Sequence, residues 1–140
     1  RERYAGFCQA LADAGKKVDS SLCLTTPLGI DTYREEIDTF LSSLSRMPDA
    51  FVCASDYVAC ILMQLLEKRG LRVPEDVAVS GFDNNTEDLL AEHLTTVQVF
   101  NEELGARLAL QILYRIKYPN TPHEITYLGT NVLYRDSTGD

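Results

Sequence analysis

This sequence predicts an α/β fold, one lobe layered helix–sheet–helix around a mostly parallel sheet. Three observations predict it. Short apolar runs of strand length alternate with amphipathic helical stretches along residues 1–97. Residues 49–84 read as a strand, a polar tip, a long apolar helix, a tight return and a second strand. A unit of that kind with so short a return is a right-handed crossover, which makes its two strands parallel.

Tyr4, Phe7, Cys8 and Leu11 fall at helical spacing within residues 1–14, and Gly15 ends that helix. Residues 18–24 are a strand candidate, followed by a loop through Thr25, Thr26, Pro27, Leu28 and Gly29. Thr32 with Glu35 three residues on matches a capping box. The helix behind it turns Tyr33, Ile37, Phe40, Leu41 and Leu44 inward and breaks before Pro48. Residues 50–54 form a strand, and Ser55 or Asp56 caps the next helix by accepting a first-turn N–H. The face of that helix is Val58, Ile61, Leu62, Leu65 and Leu66, with Cys60 and Met63 as a second stripe. The second stripe needs its own cover, either neighbouring helices or a second copy of the chain.

Lys68, Arg69 and Gly70 suit a helix C-terminus, Pro74 prevents continuation, and residues 77–82 form the next strand. Residues 86–92 read as a short helix capped by Thr86, and 94–99 as a strand. Asn101 with Glu102 and Glu103 opens another helix, whose apolar face is Leu104, Leu108, Ile112 and Leu113. Residues 118–122 are a turn, and 125–134 are extended.

With 140 residues, 45% of them hydrophobic, the chain can bury one core. No run approaches the roughly 18 apolar residues of a membrane span. The start, RERYAGFCQA, lacks the charged-then-apolar order of a signal peptide and does not begin with Met. It reads as a piece of a longer protein whose lobe has a further strand upstream. A net charge of −8 excludes a phosphate-gripping surface on this piece. Cys8, Cys23, Cys53 and Cys60 have no paired spacing and lie in apolar stretches, as buried free thiols of a reducing cytosol do. His93 and His123 carry no zinc-ligand spacing, and no motif for a cofactor, a phosphate loop or an activated nucleophile occurs. No cofactor is expected, and no catalysis.

In parallel sheets ligands meet the carboxyl ends of the strands, which here means Ser55, Asp56, Asp83 and Asn84. Asp56 and Asp83 at neighbouring tips could form an acid–base or magnesium pair, but nothing else in the sequence supports one.

Six motifs occur in order: Arg3, Gly6, Phe7, Ala10 and Leu11 as RxxGFxxAL; ASD at 54–56; GLRVPEDVAVSGFDN at 70–84; LTTV at 94–97; EELG at 102–105; and RDST at 135–138. Together they resemble the effector-binding core of the lactose and galactose repressor family of bacterial transcription regulators. The resemblance implies a Rossmann-like, periplasmic-binding-protein-like architecture in which two lobes close over a small ligand. Residues 1–97 would be the C-terminal lobe, 98–128 a crossover segment packing with the N-terminal lobe, and 129–140 a return strand and tail. It implies a sugar or related polyol as effector, operator DNA bound through an absent helix-turn-helix headpiece, a homodimer, and the cytoplasm. A transport-system sugar-binding protein is the alternative.

By the same resemblance Arg3 reaches ligand hydroxyls or a carboxylate, Asp83 accepts from sugar hydroxyls, and Ser55 contacts the effector. Asp56, Leu28 and Asn101 are further candidates. Ser55 stands where family members commonly carry Asn and lacks the amide's paired donor and acceptor, so no particular sugar carries over. The loop that often supplies a stacking aromatic offers only Thr26, Pro27 and Leu28. Without its usual lobe, the stripe of the 101–117 helix is expected to fold back, swap or associate.

Overall fold

The computed structural model describes residues 2–27, 29, 31–84 and 89–139. The helices are α1 (Glu2–Asp13), α2 (Tyr33–Ser43), α3 (Asp56–Lys68) and α4 (Asn101–Lys117). The strands are β1 (Ala50–Val52), β2 (Ala78–Ser80), β3 (Thr96–Gln98) and β4 (Asn131–Leu133). Helices α1 and α3 stop in the same way. Gly15 (φ +69°) and Gly70 (φ +74°) turn left-handed, and the next N–H reaches back over the last turn, Lys16 to the Leu11 carbonyl (2.8 Å) and Leu71 to that of Leu66 (3.1 Å). Only a residue without Cβ takes that turn cheaply.

Strands β1 and β2 pair in parallel, Ala50 opposite Ala78 and Val52 opposite Ser80, as the crossover rule requires. Beyond β2 the Gly81 N–H donates to the Thr95 carbonyl (2.8 Å) and the Asp83 N–H to that of Val97 (3.1 Å), which seats β3 parallel beside it. Strand β4 returns antiparallel to β3, so the sheet is parallel at its centre with one antiparallel edge. The core is α3 (Ala59, Cys60, Ile61, Leu62, Leu65, Leu66) packed on Val77, Val79 and Leu94, with Ile37 and Leu41 of α2 behind it. Each Val, Leu or Ile side chain among them contributes about 1.5–3 kcal/mol by leaving water. Cys60 is buried and Met63 packs on the same core, so the second stripe of α3 is covered within this chain. Arg69 ties α3 to α2 through the Asp38 carboxylate (2.6 Å) and the Ser42 hydroxyl (3.1 Å).

Several expectations are corrected. Residues 18–24 form no strand; Ser20–Leu22 is a 3₁₀ turn. The Asp19 carboxylate accepts from the Ser21 hydroxyl (2.6 Å) and N–H (3.0 Å), which holds its carboxyl below the usual range. A local side-chain bond of this kind outcompetes an extended backbone that has no neighbouring strand among the described residues. Leu24 still packs on the core. The capping box does not form: Thr32 makes no side-chain cap bond, and its hydroxyl and the Gly29 N–H (3.2 Å) both donate to Glu36. Those two bonds keep the Glu36 carboxyl below its ordinary value. Of the helix expected at 86–92, Thr86 lies outside the described residues and Leu89–His93 is a 3₁₀ helix. Asn101 opens α4 as expected, with Phe100 at the cap position before it. Of residues 125–134, β4 alone is strand.

The tail locks the sheet. The Ser137 hydroxyl, buried, donates to the Val79 carbonyl (2.6 Å) and accepts from the Thr95 N–H (2.8 Å), joining two strands at once. The stripe of α4 has no such cover: Leu104, Leu108, Ile112 and Leu113 are 50–63% exposed. Sedimentation of residues 1–140 is expected to show concentration-dependent association that Leu108→Glu with Ile112→Glu weakens. A second expected outcome concerns Gly81. A Cβ there would lie 2.8 Å from Leu94 Cδ2, 3.1 Å from the Asp56 Cα and closer still to the Asp56 carboxylate. Gly81→Ala should therefore cost about 1–3 kcal/mol or more in urea unfolding.

Candidate functional site

Three strand ends meet at one edge of the sheet. From β1 the chain passes through Ala54 to Ser55, whose extended backbone and hydroxyl cap α3 at the Val58 N–H (3.4 Å). The Asp56 N–H donates to the Phe82 carbonyl (2.9 Å), stapling the first turn of α3 to the end of β2. The Asp56 side chain points inward, 2% exposed, and accepts from the Thr96 hydroxyl (2.6 Å). Gly81 leaves room for it.

Arg3 arrives at this edge from the first turn of α1. Its guanidinium lies 3.8 Å over the centroid of the Phe82 ring, donates to the Ala54 carbonyl, and donates to the Asp83 carboxylate at 3.0 Å. A ring beneath and two acceptors in plane fix the fork by stacking and by hydrogen bonding together. The Arg3 and Asp83 side chains are 47% and 39% exposed, so the pair faces water. The backbone that aims the carboxylate is unusual: Asp83 (φ +106°) and Asn84 (φ +53°) are both left-handed. Asn and Asp tolerate this region better than other residues with a Cβ, and it still costs on the order of 1–3 kcal/mol.

Asn84 is held from three sides. Its N–H donates to the Thr96 hydroxyl (3.3 Å), its side-chain amide donates to Gln98 Oε1 (2.6 Å), and its own side-chain oxygen accepts from Arg135 (2.8 Å). Arg135 also donates to the Leu94 carbonyl (2.9 Å).

The geometry thus brings Arg3 and Asp83 into contact, with Ser55 one residue beyond the carbonyl that Arg3 grips. Asn101 stands exposed in the first turn of α4. Leu28 lies outside the described residues. The sequence places Asn84 at this edge without giving it a contact, whereas Phe82, Gln98 and Arg135 were not singled out, although Phe82 precedes Asp83 and could have been suspected. Among the described residues no cluster of three or more His, Cys, Asp or Glu could hold a metal ion. The four cysteines form no disulfide and, against expectation, Cys60 alone is fully buried; burial pushes the thiol of half-buried Cys53 up to about 12, with Cys60 and Asp56 adding to the rise. The open hollows along α4, lined by residues such as Gln111, Tyr114 and Glu124, share no residue with the strand ends. No helix of the described residues is long and apolar enough to cross a membrane.

Residues 1–138 match the model of the periplasmic binding protein-like domain. The chain belongs to that family. A helix-turn-helix-type transcriptional regulator, DegA of Bacillus subtilis, is 35% identical over 107 residues, 76% of this chain and 31% of its own length. Another regulator of that type, CelR of Thermobifida fusca, is 34% identical over 142 residues, 97% of this chain and 40% of its own. The solved CelR–cellobiose complex superposes with a TM-score of 0.86 at 31% identity, over 97% of this chain and 42% of that one. The chain therefore spans less than half the length of these relatives. The resemblance to the lactose and galactose repressor family is borne out, and within the periplasmic binding protein-like family these relatives are regulators. An α/β lobe with parallel strands meeting at one polar edge is the corresponding fold.

The buried and exposed carboxylates of this edge should separate in stability. Asp56→Ala strands the Thr96 hydroxyl and should cost about 1–3 kcal/mol. Asp83→Asn, which suits the left-handed backbone, should stay within about 1 kcal/mol of the parent, as exposed ion pairs do. Urea unfolding of both variants without ligand checks the difference.

Proposed function

We propose that the chain is the C-terminal part of the effector-binding core of a DNA-binding transcription regulator, and that it binds a small neutral sugar or related polyol through Arg3, Ser55 and Asp83. The accessible Arg3–Asp83 pair at the meeting of the strand ends carries this reading. One partner donates a fork of hydrogens and the other accepts, and a pair of sugar hydroxyls needs both. Their opposite charges cancel, which suits a neutral ligand better than an anion. The phenyl face of Phe82 is taken by Arg3 and offers the ligand no platform. Asp56 shapes the edge from beneath, and Asn101 and Leu28 are further candidates for effector contact.

In this reading residues 1–97 are one lobe, 98–128 pack with an N-terminal lobe along the exposed stripe of α4, and 129–140 return to the first lobe. Operator DNA is bound by a headpiece outside this chain, the protein works as a cytoplasmic homodimer, and it catalyses no reaction. A ligand that bridges both lobes favours the closed arrangement, and that difference, typically about 1–3 kcal/mol, reaches the headpieces without any contact between ligand and DNA.

The test is effector titration of the whole regulator with operator binding as readout. Asp83→Asn removes the charged acceptor and should weaken the response to the effector by about 1–3 kcal/mol, while operator affinity without effector barely moves. A variant that responds at the parent's effector concentration would make Asp83 a turn residue and place the site elsewhere.

A further inference from the structure

Asn84 has no place in the ligand contacts proposed above, yet both ends of its carboxamide are held by side chains. We infer that Asn84 is a positioning residue, and that through it the strands leading into and out of residues 99–130 set the direction of the Asp83 carboxylate. The inference rests on the reading of Asp83 as a ligand group.

The geometry is specific. Gln98, which accepts from the Asn84 amide, is the last residue of β3, just before the chain leaves the sheet for α4. Arg135, which donates to the Asn84 oxygen, comes two residues after β4, where the chain has returned. Gln98 and Asn131 are themselves opposite one another in the β3–β4 ladder. One side chain from the outgoing strand and one from the returning strand therefore grip both ends of a single carboxamide. The Asn84 N–H is pinned as well, by the Thr96 hydroxyl. The residue so gripped is the second of two left-handed residues, and the first carries the carboxylate that meets Arg3. A backbone in that region persists only when its surroundings over-determine it. Here the surroundings are the two strands, so a twist of β3 against β4 would re-aim Asp83 relative to Arg3, and a ligand holding Asp83 would resist that twist. Coupling between the strands and the carboxylate would run equally in both directions.

Amide hydrogen exchange on the whole protein tests this without knowledge of the effector. Asn84→Gly keeps the backbone freedom and removes the carboxamide, and Asn84→Asp keeps an acceptor for Arg135. The Asp83 N–H, bonded to Val97, should exchange about tenfold faster in Asn84→Gly, with most of the protection restored in Asn84→Asp. The Gly81 N–H, bonded to Thr95 in the same parallel pairing, and the unfolding midpoint should not change. An unchanged Asp83 amide would overturn the inference, as would equal acceleration at Gly81, which marks general loosening. Calorimetry with cellobiose, galactose and ribose separates the two proposals. Tenfold weaker binding in Asn84→Gly of whichever sugar the parent binds supports both. A parent that binds none of them, with Asp83 loosened as expected, leaves Asn84 as the positioning residue and removes the neutral-sugar reading.

Discussion

A buried carboxylate under the strand ends organises this molecule. Taking Asp56 out of water would be unfavourable if its oxygens had no donors, and the Thr96 hydroxyl is one of them. That hydroxyl has one hydrogen, which goes to Asp56, and a lone pair, which takes the Asn84 N–H. Helix α3, strand β3 and the loop after β2 are thereby joined at a single oxygen. The joint closes only because Gly81 has no side chain, since the α3 backbone comes within 3.1 Å of where a Cβ would stand. The same approach lets the Asp56 N–H reach the Phe82 carbonyl, so helix and strand are joined through backbone and side chain at one level. Everything exposed at the edge stands on this arrangement: Phe82 supports Arg3, and Asp83 and Asn84 turn left-handed directly above Thr96.

The central strand–helix–strand unit was legible because its signals are local. A short apolar run, a serine cap, five apolar positions at helical spacing and a glycine stop can each be read without knowing what they touch. The segment 18–24 looked more weakly strand-like by composition, and a strand exists only with a neighbour, while Asp19 had a cheaper bond to make two residues away. The role of Ser137 was illegible for the opposite reason. One small polar residue in a tail has no periodicity, and its importance comes from two backbone groups, at Val79 and Thr95, that are 58 and 42 residues away.

The site divides in the same way. Asp83 and Asn84 could be placed at a strand end and a turn from their residue types alone, and their positive φ angles are the physical content of that reading. Arg3 could not be brought to Asp83 by any spacing argument, because 80 residues separate them; the family resemblance made the connection. What neither route reached was the support around the pair. Phe82 reads as a core aromatic until a guanidinium is seen on its face, and Gln98 and Arg135 read as ordinary polar residues of a strand end and a tail.

On the proposed reading, the weakness of the Arg3–Asp83 pair suits a sensor. Both side chains are well over a third exposed, so water screens their attraction and the contact adds little to folding. A ligand that inserts between them therefore displaces a weak interaction, not a strong one. If a second lobe covers the edge as proposed, water is excluded, the effective dielectric falls, and each hydrogen bond from guanidinium or to carboxylate strengthens. The open state then has a cheap, preformed and correctly aimed donor–acceptor pair, and the closed state has a strong one. The difference between those two strengths is the differential affinity that a population shift requires. A deeply buried pair of the same residues would bind no better when closed than when open, and could recognise a ligand without reporting it.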